Sequence, residues 1–131
     1  MELLSVFWAQ WALETGRGRW MVDYNYAGLK GRAPDGGLSR WWTWEETEDG
    51  PRRVRARFRS YETADEGAYD YIQLLWSRYP KAITAARRGD AISFVLELDD
   101  GGFFTERPSH YTRSVASLSL EFRREQRAAR F

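Results

Sequence analysis

Apolar residues Leu4, Phe7, Trp8, Trp11 and Ala12 recur at helical spacing and stop at Gly16, so residues 3–15 are predicted to form an amphipathic helix closed by a glycine. Residues 16–40 hold six glycines and Pro34 among few periodic apolar positions and read as loop and turn. From Arg40 to Arg59 the period changes to two. Trp42, Trp44 and Glu46 fall on one face, with Trp41, Thr43, Glu45 and Thr47 on the other. Glu48-Asp49-Gly50-Pro51 supplies turn chemistry, and Val54, Ala56 and Phe58 then alternate with Arg53, Arg55, Arg57 and Arg59. The segment is therefore predicted to be a β-hairpin whose acidic arm pairs a basic one. Thr63-Ala64-Asp65-Glu66 forms a capping box, and Tyr69, Ile72, Leu75, Trp76 and Tyr79 continue as a helical stripe until Pro80. Asp90 is positioned to cap a short helix through Ala91, Phe94, Val95 and Leu98, stopped by Gly101-Gly102. Pro108-Ser109 opens a last helix with Tyr111, Val115, Leu118 and Phe122 on its apolar stripe and an arginine-rich end. The order of elements predicts one α+β domain over residues 1–131, a small sheet segregated from a mainly helical body.

Composition narrows the chemistry. The 131 residues fit one domain on the prior of roughly 150 residues each, and 43% hydrophobic content excludes disorder as a whole-chain description. There is no cysteine and one histidine, His110, which removes thiol nucleophiles and disfavours histidine-based zinc sites and Ser/His triads. His110 is expected to be a surface residue. Twenty basic and nineteen acidic residues leave +1, no global electrostatic case for nucleic acid or an anionic membrane. Of the basic residues 18 are arginine, and the 7 Trp, 7 Tyr and 7 Phe exceed what a core of this size needs, which points to a ligand surface. The Arg53/Arg55/Arg57/Arg59 stripe reads either as a solvated strand face balanced by Glu and Asp or as a contact for carboxylates or an anionic polymer. The first sixteen residues have neither a basic leader nor a small-residue cleavage site, and Glu2 and Glu14 bracket their apolar run, so no signal peptide or membrane span is expected there.

Paired carboxylates are the remaining catalytic apparatus. Glu14 sits in the last helical turn, where the negative end of the helix dipole disfavours its ionised form, and Glu45 lies on the tryptophan-rich strand. In glycoside hydrolysis one carboxylic acid protonates the leaving oxygen while a second group acts as nucleophile or activates water. The alternatives for these residues are a solvated helix end and a soluble strand and turn.

The segments AQWALETGRG (9–18), NYAGLKG (25–31), TWEETEDG (43–50), FRSYET (58–63) and FFTERPSHYTRSV (103–115) resemble, in order and spacing, the bacterial peptidoglycan glucosaminidases of glycoside hydrolase family 73, flagellar muralytic domains and autolysins among them. The resemblance spans residues 8–120. It implies a lysozyme-like α+β fold with a β-hairpin lobe beside an active-site groove. The implied reaction is hydrolysis of the β-1,4 bond after N-acetylglucosamine, with no cofactor and a peptidoglycan strand as partner. The family's A-x-x-A-L-E-[ST]-G acid lands on Glu14. The glutamate of its mobile T-x-E hairpin lands on Glu45, with Thr43 at the first position. The tyrosine of T-D-P-x-Y lands on Tyr111, and the asparagine of N-x-F-G-I-K on Asn25.

Asn25, Tyr24, Tyr26, Trp42, Trp44 and Thr43 are the candidate sugar contacts, with Trp41 and Tyr61 as further groove aromatics. Ala27 stands where the family carries an aromatic, and Thr105-Glu106-Arg107-Pro108 is one residue longer than T-D-P. Only 13 residues precede Glu14, fewer than the family's lead helix provides, so the expectation is a minimal version of the domain, a truncated one whose preceding segment is missing, or one part of a larger secretion, flagellar or phage assembly that supplies the wall. Inversion, retention and assistance from the substrate's N-acetyl group all stay open: carboxylates about 6.5–9.5 Å apart favour the first and about 5–5.5 Å the second. The rival reading is an inactive lysozyme-like module that holds glycan or a partner. Single-strand nucleic-acid binding is a third, disfavoured by the charge balance. The resemblance places the action at the bacterial cell wall, periplasmic or extracellular, by an export route the sequence leaves open.

Overall fold

A computed structural model describes residues 2–104 and 109–129, with the side chain of Glu46 outside that description. It contains helices α1 (Glu2–Thr15), α2 (Ala64–Arg78), α3 (Pro80–Arg87), α4 (Ala91–Asp100) and α5 (Tyr111–Ala129), with strands β1 (Leu38–Thr47) and β2 (Gly50–Arg59) between α1 and α2. The strands form a two-stranded antiparallel hairpin, and the architecture is α+β, a mainly helical body with a hairpin lobe.

Helix α1 runs through the body. Its Val6, Ala9 and Ala12 are buried, and it packs against α5 and α3. Small side chains let α1 and α5 approach closely: Ser5 and Ser119, both buried, share a hydroxyl hydrogen bond of 2.9 Å. Leu75, Phe94, Val95, Leu98 and Val115 complete an apolar core, all fully buried. The end of α1 is a Schellman turn. Gly16 takes φ +58° and the Arg17 N–H returns to the Ala12 carbonyl at 2.8 Å, which fixes where the helix stops relative to Glu14.

Two features differ from the reading of the chain. Pro80 does not merely end a helix. It occupies the first turn of α3, where its missing N–H costs nothing, so a further helix follows α2 after the single residue Tyr79. Helix α2 also buries a different face: Gly67, Asp70, Tyr71 and Leu75 point inward, while Tyr69, Ile72 and Trp76 are exposed. The cause lies at the base of the hairpin. Asp70 accepts from Arg59 Nη1 at 2.8 Å and from the Tyr61 hydroxyl, so this carboxylate belongs inside. Gly67 packs on the Tyr24 carbonyl so tightly that a Cβ would stand 2.0 Å from that oxygen. Gly67→Ala is therefore expected to destabilise the fold by about 1–3 kcal/mol in chemical denaturation, since the obstacle is backbone.

The Thr63 half of the capping box forms, its side chain accepting from the Glu66 N–H at 3.2 Å, while the Glu66 carboxylate accepts from the Glu62 N–H at 3.3 Å; Asp90 caps α4. Helix α5 is described from Tyr111, and Thr105–Pro108 lies outside the described residues. The hairpin register pairs Trp41 with Ala56, Thr43 with Val54 and Glu45 with Arg52. Most acidic-to-basic cross-strand pairing does not occur, because the arginines of the other face stand opposite Arg40, Trp42 and Trp44. No helix among the described residues is long and apolar enough to cross a membrane.

Candidate active site

A cleft of about 1020 Å³ opens between the end of α1, the 20–30 loop, the hairpin and the start of α5. Glu14, Glu45 and Tyr111 all line it. Glu14 is half-buried, and its Oε1 accepts from the Tyr111 hydroxyl at 2.7 Å. Its pKa is raised: loss of hydration pushes the carboxyl up, and the Tyr111 hydrogen bond offsets only part of that. Burial followed by the Glu14 charge holds the Tyr111 phenol protonated far above neutrality.

Behind this pair lies a second polar layer that the sequence reading missed. Gln10, fully buried, donates from Nε2 to the Tyr111 oxygen at 3.1 Å, and its Oε1 accepts from the Tyr71 hydroxyl. Tyr71–Gln10–Tyr111–Glu14 is thus a connected chain of hydrogen bonds. A signal was present, since Gln10 is a polar residue four positions before Glu14 and so on the same helix face. Tyr79, Phe103, Phe104 and Tyr111 form another feature not singled out, successive edge-on ring contacts of 5.6, 5.0 and 4.8 Å along one cleft wall.

Glu45 and Thr43 share the inward hairpin face with Trp41, whose ring meets Phe58 edge-on at 5.9 Å. The Glu45 carboxylate is ion-paired with Lys30, tying the hairpin to the loop. Trp42 and Trp44 lie on the opposite face, 58% and 69% exposed, and reach the cleft only at its rim. Asn25 lines the cleft, yet its amide is spent on backbone: Nδ2 donates to the Leu29 and Arg59 carbonyls at 2.9 and 3.0 Å, and Oδ1 accepts from the Leu29 N–H at 2.9 Å. That clamp sets Gly28, at φ +63°, so that a Cβ there would stand 3.7 Å from Glu14 Oε2. The loop thus passes the acid without covering it.

Tyr24 and Tyr26 are not among the cleft-lining residues. Ala27, Gly28 and Leu29 line the cleft beside Asn25, whereas Tyr24 packs toward Gly67 of α2. His110 is exposed in the turn before α5. A half-buried carboxyl with a raised pKa, a locked tyrosine and a second carboxylate across an open groove can protonate a leaving oxygen and meet positive charge developing opposite it.

Residues 3–123 match the family model described as mannosyl-glycoprotein endo-beta-N-acetylglucosaminidase. The chain belongs to the glucosaminidase family, glycoside hydrolase family 73. As a family member it is a glycoside hydrolase. It is 32% identical to the peptidoglycan hydrolase FlgJ of Pseudomonas aeruginosa, over 92% of this chain and 32% of that protein. It therefore spans about a third of the length of the curated relatives it matches. Its fold superposes with TM-score 0.73 and 26% identity on a peptidoglycan hydrolase mutant from Sphingomonas sp. A1, covering 99% of this chain and 91% of that one. For the glycoside hydrolase domain of Salmonella typhimurium FlgJ the TM-score is 0.63 at 27% identity, covering 91% and 82%.

Proposed function

We propose that this glucosaminidase cleaves the β-1,4 bond after N-acetylglucosamine in peptidoglycan strands, acting at the bacterial cell wall. The observation that carries the reading is Glu14, a carboxyl kept toward its protonated form by burial and held by Tyr111 at the edge of an open cleft. Glu14 donates its proton to the leaving sugar oxygen. Tyr111 engages Oε1, so the proton for transfer belongs on Oε2, the oxygen nearest Gly28.

Glu45 is the second carboxylate. It orients water or stabilises the oxocarbenium-like transition state once Lys30 releases it and the hairpin closes on the glycan. The Lys30–Glu45 pair is solvent-exposed, and such pairs contribute only about 0–1 kcal/mol, so substrate binding can displace it. The Tyr79/Phe103/Phe104 wall and Trp41 supply flat apolar faces for sugar rings, with Trp42 and Trp44 at the rim.

The test is incubation with isolated sacculi, followed by mass analysis of the fragments. New reducing ends on N-acetylglucosamine are expected with the native protein. In Glu45→Gln the rate is expected to drop about 10²-fold or more with little change in melting temperature, because Glu45 serves the reaction and not the core. Release of fragments ending in N-acetylmuramic acid, or none at all, would overturn the assignment.

A further inference from the structure

The outer face of the hairpin is unusual. Three cross-strand rows stand on it: Arg40 opposite Arg57, Trp42 opposite Arg55 and Trp44 opposite Arg53. All six residues are exposed, and the Arg53 guanidinium lies 5.0 Å from the centre of the Trp42 ring. Among the described residues none of these four arginines makes an ion pair, whereas Arg59, next along the strand, is taken by Asp70. Like charges placed directly opposite across two strands repel, so the Arg40/Arg57 row weakens the hairpin unless an anion lies over it.

We propose that this face is a subsite for the carboxylates of the peptide stems carried by the glycan strand, an inference that rests on the peptidoglycan reading above. Continuity with the cleft selects this anion over others. Trp42 and Trp44 belong both to the arginine face and to the cleft lining, so the arginine face begins where the cleft ends, within reach of side branches that leave a strand lying in the cleft. Guanidinium groups take carboxylates in a two-pronged geometry, and the indole faces cover the apolar parts of the stem. The enzyme then favours strands that still bear acidic stems over stripped glycan.

The test uses the Glu14→Gln protein, so that strands are bound and not cut, and follows tryptophan fluorescence. The probes are free stem peptide, strands with stems, and the same strands after amidase removal of the stems. Stem-bearing strands are expected to bind about tenfold tighter than stripped ones, with the difference shrinking as salt rises. Adding Arg55→Gln with Arg57→Gln is expected to erase the difference while leaving stripped-strand affinity unchanged, and Arg55→Lys with Arg57→Lys to restore part of it. Equal affinity for the two kinds of strand, or a Gln pair that keeps the preference, would overturn the subsite. Tighter binding to poly(glycerol phosphate) or to anionic vesicles than to free stem peptide would reassign the face and overturn it too. Free stem peptide reports on the arginines without the cleft. Its binding together with failure of stripped strands to bind would therefore sustain the subsite and count against the cleft reading instead.

Discussion

Glu14→Gln is expected to cut the rate of glycan cleavage about 10²–10⁴-fold, the range for losing a positioned general acid, and at the same time to make the protein more stable near neutral pH. Both effects come from one cause. Burial raises the folded-state pKa of Glu14 above its value of 4.5 in an unfolded chain, so the ionised form opposes folding. A group shifted in this direction contributes fully to stability below its unfolded pKa and loses that contribution as pH rises through the folded one. Gln keeps an oxygen to accept from Tyr111 and carries no charge. Thermal melts should therefore show the variant above the native protein at about pH 8 and level with it at about pH 3. Equal melting temperatures at the higher pH would mean that water reaches the carboxyl freely, and the argument for a protonated acid would fall with it.

The helix that carries Glu14 is legible in the sequence because both of its ends are local: an apolar repeat and a glycine that supplies the left-handed turn. The hairpin is legible for a similar reason, since strict alternation leaves one register that turns Val54, Ala56 and Phe58 to the less exposed face, and that register turns Glu45 the same way. The inward face of α2 is not readable locally. Tyr69, Ile72 and Trp76 look more apolar than Gly67, Asp70 and Tyr71, but Arg59 and the Tyr24 carbonyl, both distant in sequence, decide which side turns in. Asn25 carries the same lesson at the site. Its family motif brought it to attention, and only the folded loop shows that its amide is engaged by Leu29 and Arg59. The arginine stripe was visible as charge. Its partners were not, because they depend on pairing across the hairpin.

The second large effect concerns Gln10. Its amide joins two buried phenols and gives the chain a direction: Tyr71 donates to Gln10 Oε1, Gln10 Nε2 donates to Tyr111, and the Tyr111 proton is left for Glu14. Donation into the Tyr111 oxygen makes its hydroxyl the better donor, and that bond lowers the Glu14 pKa against the upward push of burial. Gln10→Leu keeps a buried side chain of similar reach but strands the Tyr71 hydroxyl, and should cost about 1–3 kcal/mol in chemical denaturation. A loss of stability alone would fit any core polar residue. The sharper expectation lies in the pH dependence of cleavage. With the Tyr111 bond weakened, Glu14 holds its proton more tightly, so the alkaline limb of the kcat/KM profile should move to higher pH. Tyr111→Phe should move it the same way, and the double variant should move it no further than Tyr111→Phe alone, because Gln10 acts on the acid only through that hydroxyl. Additive shifts would show instead that Gln10 reaches Glu14 by a route other than Tyr111.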